Sequence, residues 1–317
     1  MNKYTKELMN LIKKFFENVA GIHPYQTGSE ARSYYLLNLD DNLYKPMDEV
    51  AQKAYGEGTG NEIASGKMNA LRSSSALTYN LFWNRIAKFR DTSKRIGNGT
   101  YAVEFEKQYK TLKPSVSGLP ANLDAFLYCE DTFEAVACEM KMMEWIFNKP
   151  GTLRKKYLDP ENYINEEAGR VFVDIAKELI LETDYENPDE VEAACCRMTR
   201  YDAFQMFKHT VACYSACAFQ EKRKIKKLTL VNCAWTLSKP ELLEEKYRER
   251  YLREEECERY EFEEFKKSMA PVKKLFADIG VDFDICFYSV QELLSLLEKD
   301  TEERNYLRRY TFEGEGK

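Results

Sequence analysis

The chain has little of what membrane, zinc-stapled or disulfide-stapled proteins need. No stretch of its 317 residues approaches the roughly 20 apolar residues of a membrane helix. The opening MNKYTKELMNLIKKFFENVAG reads as an amphipathic helix without a signal-peptide apolar block. Histidine is scarce, only His23 and His209, and no Cys-x-x-Cys pair is present, so a tetrahedral zinc site would need scattered ligands. The nine cysteines lie in apolar segments such as AACCRM and VACYSACAF. That usage suits buried, reduced thiols in a cytoplasmic protein and implies no disulfide framework. A cysteine nucleophile would want a positioned histidine, and no motif supplies one. The segment GEGTGNE lacks the Lys-Ser/Thr ending and the preceding strand of a phosphate-binding loop. No internal repeat or low-complexity tract is visible.

What is present describes a globular chain with a packed core: 44% hydrophobic and 32% charged residues, with 21 Tyr and 18 Phe. A net charge of -6 argues against broad attraction to nucleic acid and says little about any one cleft. Two local basic patches exist, LRKKY (residues 153–157) and EKRKIKK (residues 221–227). Each reads first as a solvated helix end or linker, with phosphate contact as the alternative. ELLEEKYRERYLREEECERYEFEEF is mixed and mostly acidic.

The hydrophobic period changes along the chain. Residues 69–89, NALRSSSALTYNLFWNRIAKF, carry Leu71, Leu77, Leu81 and Phe82 at helical spacing. From residue 101 the period falls to two: YAVEFEKQY, NLDAFLYC and FEAVACEMKMM predict three adjacent strands. Helices are predicted around 166–182 and 190–220, a strand at 227–235, a long charged helical region at 240–277, and a further strand, VDFDICFYSV, leading into QELLSLLEK. The fold class is α/β or α+β in a single domain spanning 1–317. Within it, 1–64 is a helical and loop addition, 65–237 the core, and 238–317 a helical region with one further strand.

The segment EAVACEMKMMEW (134–145) places charges in an otherwise apolar strand. Alternate side chains share a face, so Ala135, Ala137, Glu139 and Lys141 point one way and Val136, Cys138, Met140 and Met142 the other. The second set is core. The first begins with two small residues and ends with an acid and a base side by side, the pattern of a site wall. With an even-numbered hairpin loop at CEDT, Tyr128 pairs with Phe133 and Asp124 lies opposite Ala137, roughly 7 Å or less from Glu139 on the diagonal. Two carboxylates that close want a cation between them, and Mg²⁺ or Mn²⁺ favours such ligands. Glu-x-Lys also occurs at 244–246, 264–266 and 315–317, in charged or terminal segments. Only the Glu139 copy follows a strand bearing an aligned Asp, with fourteen intervening residues. The competing reading is a Glu and Lys pair at a half-exposed strand end.

These residues resemble the PD-(D/E)XK nuclease superfamily, and within it a family of restriction endonucleases. The resemblance rests on SSSALTYNLF (73–82), on NLDAFLY with CEMKMME across the hairpin, and on YDAFQMFKH (201–209), and it spans about residues 65–237. It implies a restriction-endonuclease-like fold, a mixed central sheet flanked by helices. It also implies a Mg²⁺- or Mn²⁺-dependent enzyme that hydrolyses DNA phosphodiester bonds, in a restriction or defence role and often as a homodimer. Asp124, Glu139 and the Met140 carbonyl would then hold the metal, and Asp124, Glu139 and Lys141 would be catalytic, with Lys141 orienting or deprotonating water. Leu123 stands where the signature has proline. No acid on a helix before the first strand is evident; Glu57 and Glu62 are the candidates.

Supporting roles fall to Glu144, three residues past Lys141, and to Gln205 and His209. The last two share a polar helical stripe with Asp202, at i, i+3 and i+7. In related nucleases a helix after the Glu-x-Lys strand lends a glutamine. Ser73, Ser74, Ser75 and Asn80 are candidates for contact with the site or a nucleic-acid backbone, against the usual capping role of serine at a helix start. Glu104 and Glu106 are expected to lie away from the cleft, and Trp83, Trp145 and Trp235 in the core. The rival readings are an inactive nuclease fold that binds nucleic acid or protein, and a helical interaction protein using residues 240–310.

Overall fold

Alternating and continuous apolar runs build one mixed sheet, and amphipathic helices cover it. The computed structural model describes residues 1–20, 25–58, 60–116, 118–147, 151–181 and 193–312, which leaves His23 outside the described residues. The sheet has six strands: β1 (Ile86–Phe89), β2 (Gly99–Tyr109), β3 (Ala121–Cys129), β4 (Glu134–Lys141), β7 (Lys227–Ala234) and β8 (Asp282–Ser289), in that spatial order. β1 to β4 form an antiparallel meander, and β4, β7 and β8 run parallel. β7 and most of β8 are buried, as parallel strands covered on both faces should be. β5 (Thr152–Arg154) and β6 (Ala193–Cys195) make a separate two-stranded ladder inside the β4–β7 crossover.

Nine α-helices occur among the described residues. α1 (Lys3–Ala20) turns Tyr4, Leu8, Ile12, Phe15 and Phe16 inward, and Phe15 stacks on Phe312 just past α9 (Thr301–Thr311). α2 (Glu49–Glu57) is capped by Asp48, and α3 (Ser74–Phe82) by Ser73, which accepts from the Ala76 amide at 3.1 Å. α4 (Glu166–Leu179) buries Phe172, Ile175, Ala176 and Leu179. Its Gly169 is required by closeness, since a Cβ there would stand 2.6 Å from the Pro160 carbonyl oxygen. α5 (Ala203–Ser215) packs on β2, β3 and β7 and runs on into one π-helical turn, Ala216–Gln220. α6 (Glu245–Ser268), α7 (Ala270–Asp278) and α8 (Val290–Leu296) complete the set. None of the described helices is long and apolar enough to cross a membrane.

The mixed α/β expectation holds, with boundary corrections. The 69–89 helix stops at Phe82: Arg85 takes a positive φ of 57°, which ends the helix, and Ile86–Phe89 becomes the edge strand β1. The segment expected to be helical from 190 holds β6, and its helix begins only at Ala203, after the Asp202 cap; residues 190–192 lie outside the described residues. The charged region is two helices, parted where Pro271 opens the second. Trp145 and Trp235 are buried, and the half-buried Trp83 donates its indole N–H to Glu303 at 2.7 Å.

Candidate active site

Where β3 and β4 part, a cleft of about 570 Å³ opens, lined by side chains from β2, β3, β4, the starts of α3 and α5, and the loops around residues 60, 120 and 155. The β3–β4 pairing sets its floor. Tyr128 pairs with Ala135 and Cys129 with Glu134, so the loop is residues 130–133 and the register differs by two from the expected one. Phe133 takes a φ of 59° there, a conformation that apolar character does not advertise. A shift of two keeps every side chain on its face, and it moves Asp124 from opposite Ala137 to level with Glu139.

The ladder ends at Ala125 and Cys138. Beyond it, Asp124 Oδ2 accepts the Met140 amide at 2.7 Å in place of a strand partner. The Lys141 carbonyl accepts from Trp235 N on the β7 side at 2.7 Å. The peptide groups of successive strand residues point to opposite sides, so the Met140 carbonyl turns toward Asp124.

A third acid stands in the same row. β2 pairs Phe105 with Ala125 and Lys107 with Leu123, so Glu106 is opposite Asp124; its φ of 50° interrupts the ladder at that point. Glu106 accepts from the Asn122 amide. Its burial contradicts the expectation that it lies away from the cleft. Glu104 does lie elsewhere, paired with Arg223 at 2.6 Å. Glu62, in the turn after α2, also lines the cleft, whereas Glu57 is exposed and pairs with Lys53 at 3.8 Å.

The row is charged unevenly. Burial, then Glu139 and Glu106, hold the Asp124 carboxyl well above the usual carboxylate range. Burial pushes Glu106 up to about 7, with Glu139 and Glu62 adding to it against the Asn122 hydrogen bond. Burial would also raise Glu139, but the charge of Lys141 and the hydrogen bond with His209 hold it down to about 2. Glu139 Oε1 lies 2.7 Å from Lys141 Nζ and accepts from Gln205 Nε2 at 2.7 Å, while Oε2 lies 2.8 Å from His209 Nε2. Gln205 also accepts from Lys141 Nζ at 2.5 Å. One carboxamide therefore bridges the acid and the base. Burial alone would lower the Lys141 pKa; Glu139, Glu144 and Asp202 raise it and keep the ammonium charged.

The remaining candidates divide. Ser74 and Ser75 line the cleft, and Ser73 caps α3. Asn80 does not reach it: its side chain is buried, accepting from Tyr44 N and donating to the Asn42 carbonyl and Tyr310 Oη. Its role is to tie the segments around α3 to α9, which corrects its assignment to a nucleic-acid contact. Glu144 accepts the Met142 amide at 2.6 Å and lines a separate cavity behind Lys141. The LRKKY patch supplies Arg154 and Lys156 to the cleft rim, beside Lys208.

Comparison of the chain with family models, with curated proteins and with solved structures gave no match. The donor set can still be tested on its own chemistry. Among the described residues no group of three His, Cys, Asp or Glu side chains is arranged to hold a metal ion. Asp124, Glu139 and the Met140 carbonyl present oxygen alone, with Asp124 Oδ1 and one lone pair of Glu139 Oε2 left over. Hard divalent cations such as Mg²⁺ take such donors and complete their shell with water. Burial, with the charges of Glu139 and Glu106, raises the Asp124 carboxyl, and a cation beside it would oppose that shift. These oxygen donors are of the chemical kind a divalent cation takes.

Proposed function

We propose that the chain is a metal-dependent nuclease of the PD-(D/E)XK type, with a restriction-endonuclease-like core, that hydrolyses phosphodiester bonds in DNA. The observation that carries this reading is the meeting of Asp124 and Glu139 at the mouth of the β3–β4 fork, level with each other and beside a charged Lys141.

Asp124, Glu139 and the Met140 carbonyl would hold Mg²⁺, which when bound polarises a phosphate oxygen and offsets the charge that builds in the transition state. Lys141, kept protonated, orients a water toward phosphorus rather than abstracting its proton. Gln205 fixes the distance between Lys141 and Glu139, and His209 holds the far oxygen of Glu139. Arg154, Lys156 and Lys208 present positive charge at the rim to an incoming phosphate backbone. A negative floor under a positive rim suits a polyanion carrying a cation at its reacting bond.

The test is incubation of the purified chain with plasmid, single-stranded DNA and RNA in Mg²⁺, Mn²⁺ or EDTA, beside Asp124→Ala and Lys141→Ala. Metal-dependent cutting of DNA, lost in both variants, is the expected result. A folded protein that cuts none of these substrates, and whose melting temperature responds to divalent metal equally in wild type and Glu139→Ala, would overturn it in favour of a binding role.

A further inference from the structure

Next to the cleft lies a second cavity of about 460 Å³ that shares Gly118, Leu119, Pro120 and Lys156 with it, so the two form one continuous surface. Its far wall is the end of β2 and the turn that follows, carrying Lys110 and Lys113.

That wall is fixed. Lys110 N donates to Gln220 Oε1 at 3.0 Å, and Gln220 Nε2 donates to the Lys110 carbonyl at 2.9 Å and to Ser215 Oγ at 2.9 Å. The π-helical turn after α5 thus grips the backbone under one lysine. Lys113 N donates to the Asn162 carbonyl at 2.8 Å, which anchors the other.

Charge gives the wall its meaning. The described residues that line the second cavity include Lys110, Lys113 and Lys156 and no Asp or Glu. Among the described residues, no ion pair is formed by Lys110 or Lys113, nor by Arg154 or Lys208 on the cleft rim. Burial and the neighbouring cation Arg154 lower the pKa of Lys156, and Lys208 is lowered by burial and by Arg154 and Lys141 against the pull of Asp202. In a chain of net charge -6, a cavity whose described lining holds three lysines and no acid, continuous with a cleft rimmed by Arg154 and Lys208, answers to an anion that is extended in the same way. Leu119, 76% exposed, stands where the two cavities join.

We infer that the second cavity is a phosphate track: Lys110 and Lys113 hold the backbone of the nucleic-acid strand whose reacting bond lies in the cleft, several nucleotides away, and Leu119 packs against a sugar or base where the strand crosses between them. This rests on the nuclease reading above for the position of the reacting bond.

Binding is measured in EDTA by fluorescence anisotropy on the full chain, with a four-nucleotide and a twenty-nucleotide DNA and an RNA of the longer sequence, over a salt series. Lys110→Ala/Lys113→Ala should bind the long DNA about tenfold more weakly and lower the salt slope by about 2, with the short DNA changed less than about twofold. Leu119→Ala should weaken the long strand alone, with the salt slope kept. Parallel losses on RNA would mark a track that reads phosphates only, and a loss confined to DNA would add a sugar contact at Leu119. Equal losses on short and long strands, or none on either, would overturn the track. Length-dependent binding without any metal-dependent cutting would uphold the track and sink the cleavage reading. Cutting that the lysine variant leaves unchanged on long substrates would do the reverse.

Discussion

Asp124 accepts the Met140 amide at 2.7 Å just past the last β3–β4 ladder pair, so a carboxylate takes the place of a strand partner and holds the fork open. Burial, and then the charges of Glu139 and Glu106, hold the same carboxyl well above its usual range. Asp124→Asn keeps an oxygen to accept the Met140 amide and removes the repulsion. In EDTA that variant should melt above wild type, by about 2 °C for roughly 1 kcal/mol relieved in a chain of this size. Its melting temperature should no longer rise with Mg²⁺, and cleavage should fall by about a hundredfold or more. Calorimetry with and without metal checks the first two, and a melting temperature unchanged in EDTA would remove Asp124 from the crowded row.

The Gln205 side chain accepts from Lys141 and donates to Glu139. Its loss should disorder the pair without removing either charge. Gln205→Ala is expected to lower kcat by about 10- to 100-fold, the usual range for partners that orient metal ligands, with KM nearly unchanged. A fall in affinity with kcat kept would instead put Gln205 on the substrate. Steady-state cleavage separates the two.

Much of this site was legible because its signals are local. Period-two alternation set the faces of β3 and β4, and an error of two in register left Asp124, Glu139 and Lys141 together, since only an odd slip turns a strand over. Helical periodicity likewise put Gln205 and His209 on one stripe, although that stripe faces the buried floor of the cleft and not solvent. What escaped depends on distant partners. Glu106 enters the row through its pairing opposite Asp124 and a positive φ, neither of which its own neighbours encode. Asn80 was misread because a Ser-rich helix start carries no trace of Asn42, Tyr44 and Tyr310, which claim its amide from both ends of the chain.

The glycine segment after α2 has a use other than phosphate binding. A Cβ on Gly58 would stand 2.5 Å from Glu106 Oε2, while its backbone, at φ -59° and ψ 147°, is open to any residue. Gly58→Ala should therefore keep its backbone and displace the Glu106 side chain, whose Oε2, Cδ and Cγ would stand 2.5, 3.1 and 3.3 Å from the new Cβ. The expected outcome is a melting temperature in EDTA within about 2 °C of wild type and a metal midpoint for activity about tenfold higher. If the midpoint does not move, Glu106 has no part in setting the charge around the metal.

Acid stability tests a different carboxylate, remote from the row. Burial would raise the Glu221 pKa, but hydrogen bonds from Arg223 and Tyr109 outweigh it and leave the group at about 2, against an ordinary 4.5. Between these two values the unfolded chain binds a proton that the folded chain refuses. The stabilisation from these bonds is thus fully present above about pH 5 and drains away as pH falls toward 2. Glu221→Gln removes the titrating group, so wild type should exceed the variant in melting temperature near neutrality, with the gap closing steadily on acidification. A gap that stays constant from about pH 6 down to about pH 2.5 would mean that Glu221 contributes shape and not charge, and that the Arg223 contacts to Glu104 and the Tyr128 ring suffice to hold this end of β2.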